Sequence, residues 1–513
     1  MVPTLLIRAD ASQEMGTGHV MRCLALAQAW KDAGGCAIFA MAGEMPEIEP
    51  RLREDGFRVH HIIAEPGSEK DAALTADLTI SQNACFMVVD GYQFGFEYQM
   101  RLKKAGQHLL FIDDYGHAEF YSADLVLNQN IYAQEELYND RDFKTKLLLG
   151  TPFVLLRREF WSWRNRIRTN PDKASKILVT MGGSDPDNVT LKILSSLQSL
   201  TANGIEVIVV IGAGNAHNAA LQAVAKQSQF PVRLVRNASN MPELLAWADM
   251  AIISGGTTSY ETAFMGLPSL IVIIAANQVR VAEKLAEIQA AVNLGWYHNL
   301  SGACIHKTVE DLRVNCKARE SMSRIGKQLV DGRGTTRVIK AILGRVITVR
   351  EAVESDCKQI YKWANDDDTR AASFNSDPIA WDTHCNWFRE RLQDTNCLLL
   401  ICGDDRGNSL GLVRFDLAKD EAILSINLEP NMRGQGLGGF IIIRTIDELF
   451  KIYNISTVSA FIKPQNLQSA KAFKRAGFSE IGPTTIRGNE ARHYMINNED
   501  LICQSSPISG RRG

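Results

Sequence analysis

The sequence has almost no net charge and no long apolar run. Its 513 residues include 56 Lys or Arg and 58 Asp or Glu, a formal net charge of -2. This balance gives no electrostatic reason to expect nucleic acid as a partner and favours a small-molecule substrate. The longest unbroken apolar run, Leu270 to Ala276, is far shorter than the roughly 20 residues of a membrane span. The N-terminus, MVPTLLIRADAS, also lacks the basic and apolar regions of a signal peptide. We therefore expect a cytoplasmic protein with no membrane partner, and the sequence leaves the oligomeric state open.

Motifs that are typical of metal and nucleoside-triphosphate chemistry are missing too. The ten cysteines are scattered without a CxxC pair, and the nearest spacing is that from Cys397 to Cys402. In the absence of a secretory signal they predict reduced, mostly buried thiols. No HExxH and no Walker GxxxxGK(S/T) sequence occurs. We expect an enzyme without a metal ion.

Up to residue 343, short aliphatic runs alternate with helical patterns. A helix is predicted from Gly18 to Lys31 and another from about Val189. The strand candidates are Leu5 to Ile7, Cys36 to Met41, Cys85 to Val89, Leu109 to Ile112, Ile177 to Thr180, Glu206 to Ile211, Met250 to Ile253 and Ser269 to Ile274. Such alternation implies parallel sheets with crossover helices. The fold class is therefore α/β, with two Rossmann-like lobes over residues 1–155 and 156–343 that face a cleft.

The last third of the chain has a different pattern. A helix is expected to end near Leu343, where Gly344 breaks it, and Val346 to Arg350 starts a new strand. The strands that follow are antiparallel in style, and Glu421 to Leu428 alternates as half-buried strands do. We expect an α+β domain over residues 346–503 and, in the small polar residues 504–513, a mobile tail.

Two glycine-rich turns each lie between a predicted strand and a predicted helix. In Gly16-Thr17-Gly18-His19, the glycines let a ligand approach the backbone and the helix start offers free N–H groups. The helix dipole disfavours a charged imidazole at His19, which leaves the ring able to accept a proton. Taken alone, the pattern also fits a tight turn with a capping histidine.

The second turn, Ser254 to Glu261, combines amides and hydroxyls suited to a diphosphate. Glu261 falls about one turn into the helix, where its carboxylate can accept from both ribose hydroxyls of a nucleotide. The turn alone fits equally well a glycine-rich loop with a capping threonine. A third loop, Met181 to Asp185, also follows a strand and is expected to line the same cleft.

Taken together, segments across residues 4–343 resemble the nucleotide-sugar hydrolases of the pseudaminic acid pathway. The matching segments are Arg8 to Ser12, Gly16 to Leu24, Val88 to Tyr92, Ile112 to Asp114, Leu155 to Phe160, Gly182 to Pro186, Gly255 to Thr258, Ala276 to Gln278 and Asp331-Gly332. That family removes UDP from UDP-2,4-diacetamido-2,4,6-trideoxy-β-L-altropyranose. Its two-lobed fold is like that of GT-B glycosyltransferases, and the second lobe holds most of the nucleotide.

The resemblance implies roles for individual residues. His19 would be the catalytic base and Tyr92 a sugar-side active-site residue. The substrate-binding positions that it implies are Asp10, Gly16, Gly18, Arg22, Asp113, Arg158, Gly183, Ser184, Gly256, Thr257, Thr258, Glu261, Asn277 and Gln278. Because UDP is a good leaving group, water can displace it with a neutral base and amide groups around the diphosphate, without the paired carboxylates of ordinary glycosidases. We expect inversion at the anomeric carbon.

The third domain carries Arg433-Gly434-Gln435-Gly436-Leu437-Gly438 between a strand and an amphipathic helix. This resembles the pyrophosphate loop of the GNAT acetyltransferases, in which successive amides hold acetyl-CoA. Downstream, Asn466, Ser469, Phe473 and Gly477-Phe478 match a second segment of that family in order and spacing. The resemblance implies acetyl-CoA as co-substrate, held by Leu428, residues 433–438 and Asn466.

One position departs from the GNAT pattern. Phe473 stands where many members have a tyrosine that protonates the leaving thiolate, so it is assigned no acid role. The general acid must lie elsewhere, or coenzyme A leaves as the thiolate. Residues from Trp363 to Arg370, with His384, Trp387 and Phe388, resemble the acceptor side of sugar-specific members, although packing explains the two tryptophans equally well.

These resemblances predict one chain with two consecutive activities on a UDP-linked amino-sugar. The C-terminal domain would acetylate the 4-amino group, and the N-terminal lobes would then release UDP. Alternatives remain open at this stage: a glycosyltransferase or a hydrolase for another surface-polysaccharide or nonulosonate sugar fused to a GNAT domain, and a protein N-acetyltransferase with a nucleotide-sugar-binding module.

Overall fold

The computed structural model describes residues 3–12, 16–43, 48–200, 204–212, 214–404 and 407–498. The predicted tail, residues 504–513, lies outside these ranges.

The first sheet is built from short strands, and its central strands are mostly apolar and buried on both faces. Its strand order is β3-β2-β1-β4-β5-β6-β7. The strands are β1 (Thr4–Ala9), β2 (Cys36–Met41), β3 (Arg58–His61), β4 (Phe86–Asp90), β5 (Leu109–Ile112), β6 (Leu125–Asn128) and β7 (Lys146–Leu149), and the helices are α1 (Gly18–Ala33), α2 (Glu49–Glu54), α3 (Glu69–Ser81) and α4 (Phe96–Lys104). Every residue of β1, β4, β5 and β6 is buried, as expected for a parallel sheet that is covered by helices.

The second sheet repeats this architecture with the order β10-β9-β8-β11-β12-β13, and all its pairings are parallel. The strands are β8 (Lys176–Thr180), β9 (Glu206–Ile211), β10 (Val232–Arg236), β11 (Met250–Ser254), β12 (Ser269–Ile273) and β13 (Val292–Trp296). The helices are α5 (Val189–Leu197), α6 (Asn218–Gln227), α7 (Met241–Trp247), α8 (Thr258–Met265), α9 (Val279–Glu287), α10 (Gly302–Val314), α11 (Cys316–Leu329) and α12 (Gly334–Val346).

The strand order places the candidate site. In each sheet the order changes direction beside the first strand, between β1 and β4 in one lobe and between β8 and β11 in the other. Loops that leave the carboxyl ends of such strands diverge, and the crevice between them is where open parallel sheets bind ligands. The turns with His19, Tyr92, Gly183 and Gly256 all leave these four strands. Residues far apart in sequence are thereby brought together.

The third sheet is antiparallel except for one pair. Its order is β14-β15-β16-β17-β18-β20-β19, and only β17 and β18 run parallel. The strands are β14 (Ile347–Glu351), β15 (Cys397–Asp404), β16 (Ser409–Ala418), β17 (Glu421–Leu428), β18 (Thr457–Ile462), β19 (Ser479–Ile486) and β20 (Asn489–Asn497), and the helices are α13 (Cys357–Ala364), α14 (Asp367–Ala372), α15 (Trp381–Gln393), α16 (Leu437–Ile452) and α17 (Leu467–Arg475).

The chain divides into two compact units. One contains Leu6–Ala29 and Ala37–Val338, and therefore both parallel lobes. The other contains, among the described residues, 3–5 and Trp30–Cys36 together with 339–404 and 407–498. Within this second unit the Trp30 ring packs on the Phe440 ring of α16, with 4.5 Å between their centroids. The boundaries 1–155, 156–343 and 346–503 remain predictions.

Two predictions from the sequence are wrong. Gly344 does not break the helix, because α12 continues to Val346 and the glycine occupies an exposed position where its cost is only about 1 kcal/mol. The cysteines are not mostly buried: of the nine in the described residues, only Cys23 and Cys402 are buried, and all nine are free thiols. Within the described ranges, no helix is both long and apolar enough to cross a membrane.

Candidate active site

A histidine and an aspartate form the centre of the cleft between the two lobes. His19 lies in the first turn of α1, and Asp90 is the last residue of β4. His19 Nδ1 and Asp90 Oδ1 are 2.6 Å apart, and both side chains are buried. An ionised carboxylate can only accept, so Nδ1 carries the proton and donates it. This tautomer leaves His19 Nε2 as a proton acceptor.

Arg22 holds the aspartate in its charged form. One turn after His19, its guanidinium donates to both Asp90 oxygens at 2.6 and 2.7 Å and to Asp114 Oδ1 at 2.7 Å. Burial alone would raise the pKa of Asp90, but Arg22 and His19 together lower it far below its usual range. Burial would also raise the pKa of Asp114, but the charge and hydrogen bonds of Arg22 lower it. Both carboxylates are therefore charged at neutral pH.

Tyr92 continues this network across the cleft. Its hydroxyl donates to Asp114 Oδ2 at 2.7 Å and accepts from Asn277 Nδ2, in the second lobe, at 3.1 Å. Its ring lies edge-on to the His19 ring, with 4.9 Å between the two ring centroids. Burial and the Asp114 carboxylate raise the pKa of Tyr92 well above its usual range. The phenol therefore stays protonated, and its chemistry is that of a hydrogen-bond donor rather than a base.

The second lobe contributes the start of α8. This helix begins at Thr258, and its preceding residue, Thr257, makes no side-chain capping bond. The first amides of a helix have no partner within it, so these groups are available to an anion. A Cβ on Gly256 would meet nothing within 4 Å, which leaves the turn open. Gln278 fixes the position of this turn, because its Oε1 accepts from the amides of Gly255 and Ile274, each at 3.1 Å.

An ion pair closes one end of the cleft. Arg157 Nη2 donates to Glu261 Oε1 at 2.9 Å, joining the segment before the second lobe to α8. Burial raises the pKa of Glu261, and Arg157 opposes this rise. These two residues, with Arg22 and Thr257, line a cavity of about 20 Å³. Glu261 already has a partner here, so a ribose would share it with Arg157.

Other predicted residues lie around this centre. Gly16 has a φ of 77° that favours glycine, and a Cβ on Gly183 would be 3.0 Å from Thr17 Oγ1, which brings the loop of residues 181–185 against the first turn. Asp10 accepts from Arg8, the Ala42 amide and Gln93, so it braces the loop that carries Tyr92. The predicted substrate-binding roles of Gly18 and Ser184 stay predictions, because no hydrogen bond of either residue bears on them.

The geometry gives no support to two predicted substrate contacts. Asp113 is 1% exposed, and its oxygens accept from His117, Tyr121 and the backbone amides of residues 114 to 116. Its role is to shape the turn after β5. Arg158 is bound to α1 through the side chain and carbonyl of Gln28. The neighbouring residues Asp114 and Arg157 occupy the cleft instead.

Sequence reasoning missed Asp90, Asp114 and Arg157 as site residues. A signal for the first two was present, because Asp90 ends a buried strand of the first sheet and Asp114 lies two residues after another. Polar residues at carboxyl ends of parallel strands meet at one edge. For Arg157 no such signal exists, since the sequence does not say which of two adjacent arginines reaches the cleft.

The second unit contains a separate candidate site, a wedge between β17 and β18. These parallel strands pair only at their starts, from Glu421 opposite Thr457 to Ile423 opposite Ser459. Beyond Ser459 the strands separate, so backbone groups on their facing edges no longer pair with each other. An extended ligand that carries amides can pair with such edges as an added strand would.

The glycine-rich loop lies where β17 leads into α16. Gly434 and Gly436 have φ values of 72° and 76°, which side chains rarely adopt, and Gly436 is the residue directly before the helix. A Cβ on Gly434 would meet nothing, whereas one on Gly438 would approach Ala472 Cβ of α17 to 3.2 Å. Gly438 therefore serves the packing of two helices. The free amides at the start of α16 suit a diphosphate.

The side chains of three predicted cofactor residues have protein partners. The Arg433 guanidinium pairs with Asp366 and donates to Thr369 Oγ1 at 2.8 Å and to the Leu428 carbonyl at 3.2 Å. It therefore ties the loop to α14. Asn466 caps α17, because its side chain accepts from the Ser469 amide at 3.0 Å. Gln435 donates to the Asn431 carbonyl at 2.6 Å, and Leu437 is the first residue of α16.

On the acceptor side, packing explains the aromatic residues. Trp363 and Phe388 are buried in one apolar cluster, and the Trp363 indole donates to Glu429, the residue after β17. Phe473 is 3% exposed and meets Phe478 edge-on. Its phenyl ring offers no proton. Among the described residues, no group of three His, Cys, Asp or Glu side chains is placed to hold a metal ion.

Comparisons with known proteins give separate matches for the second lobe and for the C-terminal domain. Residues 347–479 match the Acetyltransferase (GNAT) domain, and residues 177–333 match the Glycosyltransferase family 28 C-terminal domain. The N-terminal region is 24% identical over 285 residues to the UDP-2,4-diacetamido-2,4,6-trideoxy-beta-L-altropyranose hydrolase of Campylobacter jejuni, which covers 55% of this chain and 96% of that protein. A protein of Methanocaldococcus jannaschii described as uncharacterized is 23% identical over 513 residues, 96% of this chain and 99% of the relative. A crystal structure of the aminoglycoside acetyltransferase AAC(6')-Ib with coenzyme A has a TM-score of 0.28 and 16% identity, over 30% of this chain and 96% of its own.

The N-terminal region thus resembles the Campylobacter hydrolase, and the C-terminal region resembles a GNAT acetyltransferase. The sheet orders confirm the predicted fold class of two Rossmann-like lobes followed by a GNAT α+β domain. The chain is an enzyme that joins a hydrolase-like sugar-nucleotide domain to a GNAT acetyltransferase domain.

Proposed function

We propose that this chain catalyses two consecutive steps on a UDP-linked amino-sugar: acetylation of its 4-amino group, then hydrolysis that releases UDP. The observation that carries the proposal is the His19–Asp90 pair, which faces Tyr92 and the open start of α8 in one cleft. The pairing of a hydrolase-like and an acetyltransferase-like region in one chain supports consecutive action. The substrate of the Campylobacter relative, which carries two acetamido groups by name, supports the sugar.

In the hydrolysis step, His19 Nε2 takes a proton from water while the water oxygen bonds to the anomeric carbon. The bond from that carbon to the UDP oxygen breaks, and its electron pair leaves with UDP. Asp90 accepts from Nδ1 throughout and stabilises the imidazolium that forms. Because the base and the diphosphate lie on opposite sides of the sugar carbon, the anomeric centre is inverted.

The second lobe stabilises the departing group. The amides of residues 256–258 at the start of α8 would donate to the diphosphate, on which negative charge grows as the bond breaks. Asn277 and Tyr92 would orient the sugar across the cleft, since their hydrogen bond already joins the two lobes at the level of His19. Glu261 would contact the ribose. Gly183 and Ser184 would line the opposite wall.

In the acetylation step, the wedge between β17 and β18 would hold the extended arm of acetyl-CoA, and the loop of residues 433–438 would hold its diphosphate. The 4-amino nitrogen bonds to the acetyl carbonyl carbon, and the carbon–sulfur bond breaks so that the sulfur leaves as the coenzyme A thiolate. The proton that the nitrogen loses passes to water. Phe473 cannot protonate that thiolate. Glu429 directly follows β17 and accepts from the indole of Trp363. The domain of residues 346–503 would act first, and the lobes of residues 1–343 would then release UDP.

The test is incubation of the full chain with UDP-4-amino-4,6-dideoxy-β-L-AltNAc and acetyl-CoA, with thiol and UDP measured separately. We expect both products in equal amounts. His19→Ala should abolish UDP release and leave thiol release intact, while Gly436→Asp should stop thiol release and leave hydrolysis of the preacetylated sugar intact. Lys284→Gln, a surface change on α9, is the matched control. If neither product appears, the proposal is wrong.

The match to a glycosyltransferase domain favours one alternative, transfer of the sugar to an acceptor other than water. UDP release that requires an added acceptor would establish that alternative. The orientation of His19 toward the Tyr92 ring and its carboxylate partner is compatible with activation of either water or an acceptor hydroxyl, so product analysis by mass spectrometry decides between them.

A further inference from the structure

The cleft described above has too much negative charge for a diphosphate. The connected ion pairs at and beside it join three arginines, Arg22, Arg51 and Arg157, to five carboxylates, those of Asp55, Asp90, Asp114, Glu159 and Glu261. All three cations have carboxylate partners within 3.5 Å. Backbone amides offer hydrogen bonds but no net charge. An anionic substrate therefore needs a further cation.

Arg280 is placed to supply it. It lies in the first turn of α9, two residues after Gln278, which bonds to the Gly255 amide of the α8 turn, and three after Asn277, which reaches Tyr92. Its guanidinium carbon is 4.3 Å from the centre of the Tyr132 ring. Within the described residues, no carboxylate forms an ion pair with it.

The ring beneath Arg280 belongs to the cleft as well. Tyr132 follows β6 in the loop that contains Asn130, whose Nδ2 donates to Asp114 Oδ1 at 2.9 Å. Tyr132 is 3% exposed, whereas Arg280 is exposed. A guanidinium that stacks on an aromatic ring keeps its N–H donors at the edge of its own plane, free to face solvent. It can therefore bind an anion without first breaking an ion pair.

We propose that Arg280 binds the diphosphate of the nucleotide and stabilises the charge that develops on it during cleavage. This inference rests on the proposed function, since it assigns a residue to the leaving group of that reaction. Arg280 would act from the α9 side while the α8 amides act from the other. Its flat guanidinium fits two diphosphate oxygens at once, which an ammonium cannot do.

The experiment compares binding of UDP and of uridine to the full chain by calorimetry, for wild type, Arg280→Gln, Arg280→Lys and the control Lys284→Gln. A charged hydrogen bond of this kind predicts that Arg280→Gln weakens UDP binding about 10- to 100-fold and leaves uridine binding unchanged. Arg280→Lys should recover part of the loss, and Lys284→Gln should match wild type. The kcat of UDP release should fall as well, because the contact strengthens as the bond breaks.

Two results would overturn the assignment. One is unchanged UDP binding in Arg280→Gln, and the other is an equal loss for UDP and uridine, which would indicate a structural role. Failure of the proposed function is distinguishable. If the wild type binds ADP or CDP but not UDP, the proposed substrate is wrong, and the same comparison with that diphosphate and its nucleoside still decides on Arg280. If it binds no nucleoside diphosphate, both proposals fail.

Discussion

Replacing Asp90 by asparagine tests the central pair directly. Arg22 donates to both Asp90 oxygens, and His19 Nδ1 donates to one of them. An asparagine has one oxygen and one NH2 group, so it cannot accept at both places. If the oxygen stays at Arg22 Nε, the NH2 group faces His19 Nδ1 and becomes its donor. His19 then carries its proton on Nε2 and can no longer accept one from water.

The reverse orientation of the asparagine is no better. It places the NH2 group 2.6 Å from Arg22 Nε, where two donors would oppose each other in a buried site. Either way the general base is lost or misplaced, and general-base catalysis is worth about 10²- to 10⁴-fold. We expect the kcat of UDP release to fall by that factor in Asp90→Asn.

The assay is UDP release from the preacetylated UDP-sugar, with thiol release by the same preparation as the check that the second unit is folded. Because the two residues act as one unit, adding Asp90→Asn to His19→Ala should lower UDP release no further than His19→Ala does alone. A kcat for Asp90→Asn within about threefold of wild type, or losses that multiply in the double variant, would refute the reasoning.

Three further predictions concern other parts of the chain. Tyr92→Phe and Asn277→Ala each remove the bond between the lobes, so each should lower kcat/KM for UDP release about tenfold, as expected for a hydrogen bond of roughly 1.4 kcal/mol, and the double variant should lose little more; independent losses would contradict this. Asp113 has a pKa of about 2, because hydrogen bonds from its neighbours outweigh burial. The charged Asp113 therefore stabilises the folded protein by roughly 2 kcal/mol above pH 4, and this stabilisation is lost as the pH falls toward 2. The thermal midpoint of Asp113→Asn should fall less steeply than that of wild type between pH 5 and pH 2. Phe473→Tyr should leave thiol release within about twofold, since Phe473 is 3% exposed and packs on Phe478; a tenfold gain would show that a phenol at this position acts as the acid.

The sequence was sufficient to predict the inner strands of both parallel sheets except β6. A strand that is buried on both faces is apolar over most of its length, as β5 and β9 are, and such runs are visible in the sequence. The edge strands β3 and β10 were not predicted. Their residues are half-buried or exposed, so polar side chains interrupt any apolar pattern.

The candidate site was predictable in its turns but not in its partners. Glycine-rich turns before helices identify His19 and Gly256 because the backbone itself is the functional group there. Which carboxylate pairs with His19 depends on strand order, which places β4 beside β1 across 71 residues of sequence. Arg157 and Arg158 are adjacent, and only the path of the chain decides which reaches Glu261.

The near-neutral net charge of the chain is consistent with two anionic ligands because each proposed site uses the same local device. In the lobes, loops diverge at the carboxyl ends of neighbouring parallel strands, and in the third sheet the one parallel pair, β17 and β18, separates. In each case a helix starts at the split and presents unpaired amides, so phosphate is recognised by aligned dipoles. Dipoles act over a few ångströms and leave no mark on net charge. The cleft between the lobes adds an excess of carboxylates to that device because His19 needs Asp90. This excess is the reason that we assign the exposed Arg280 of α9 to the diphosphate.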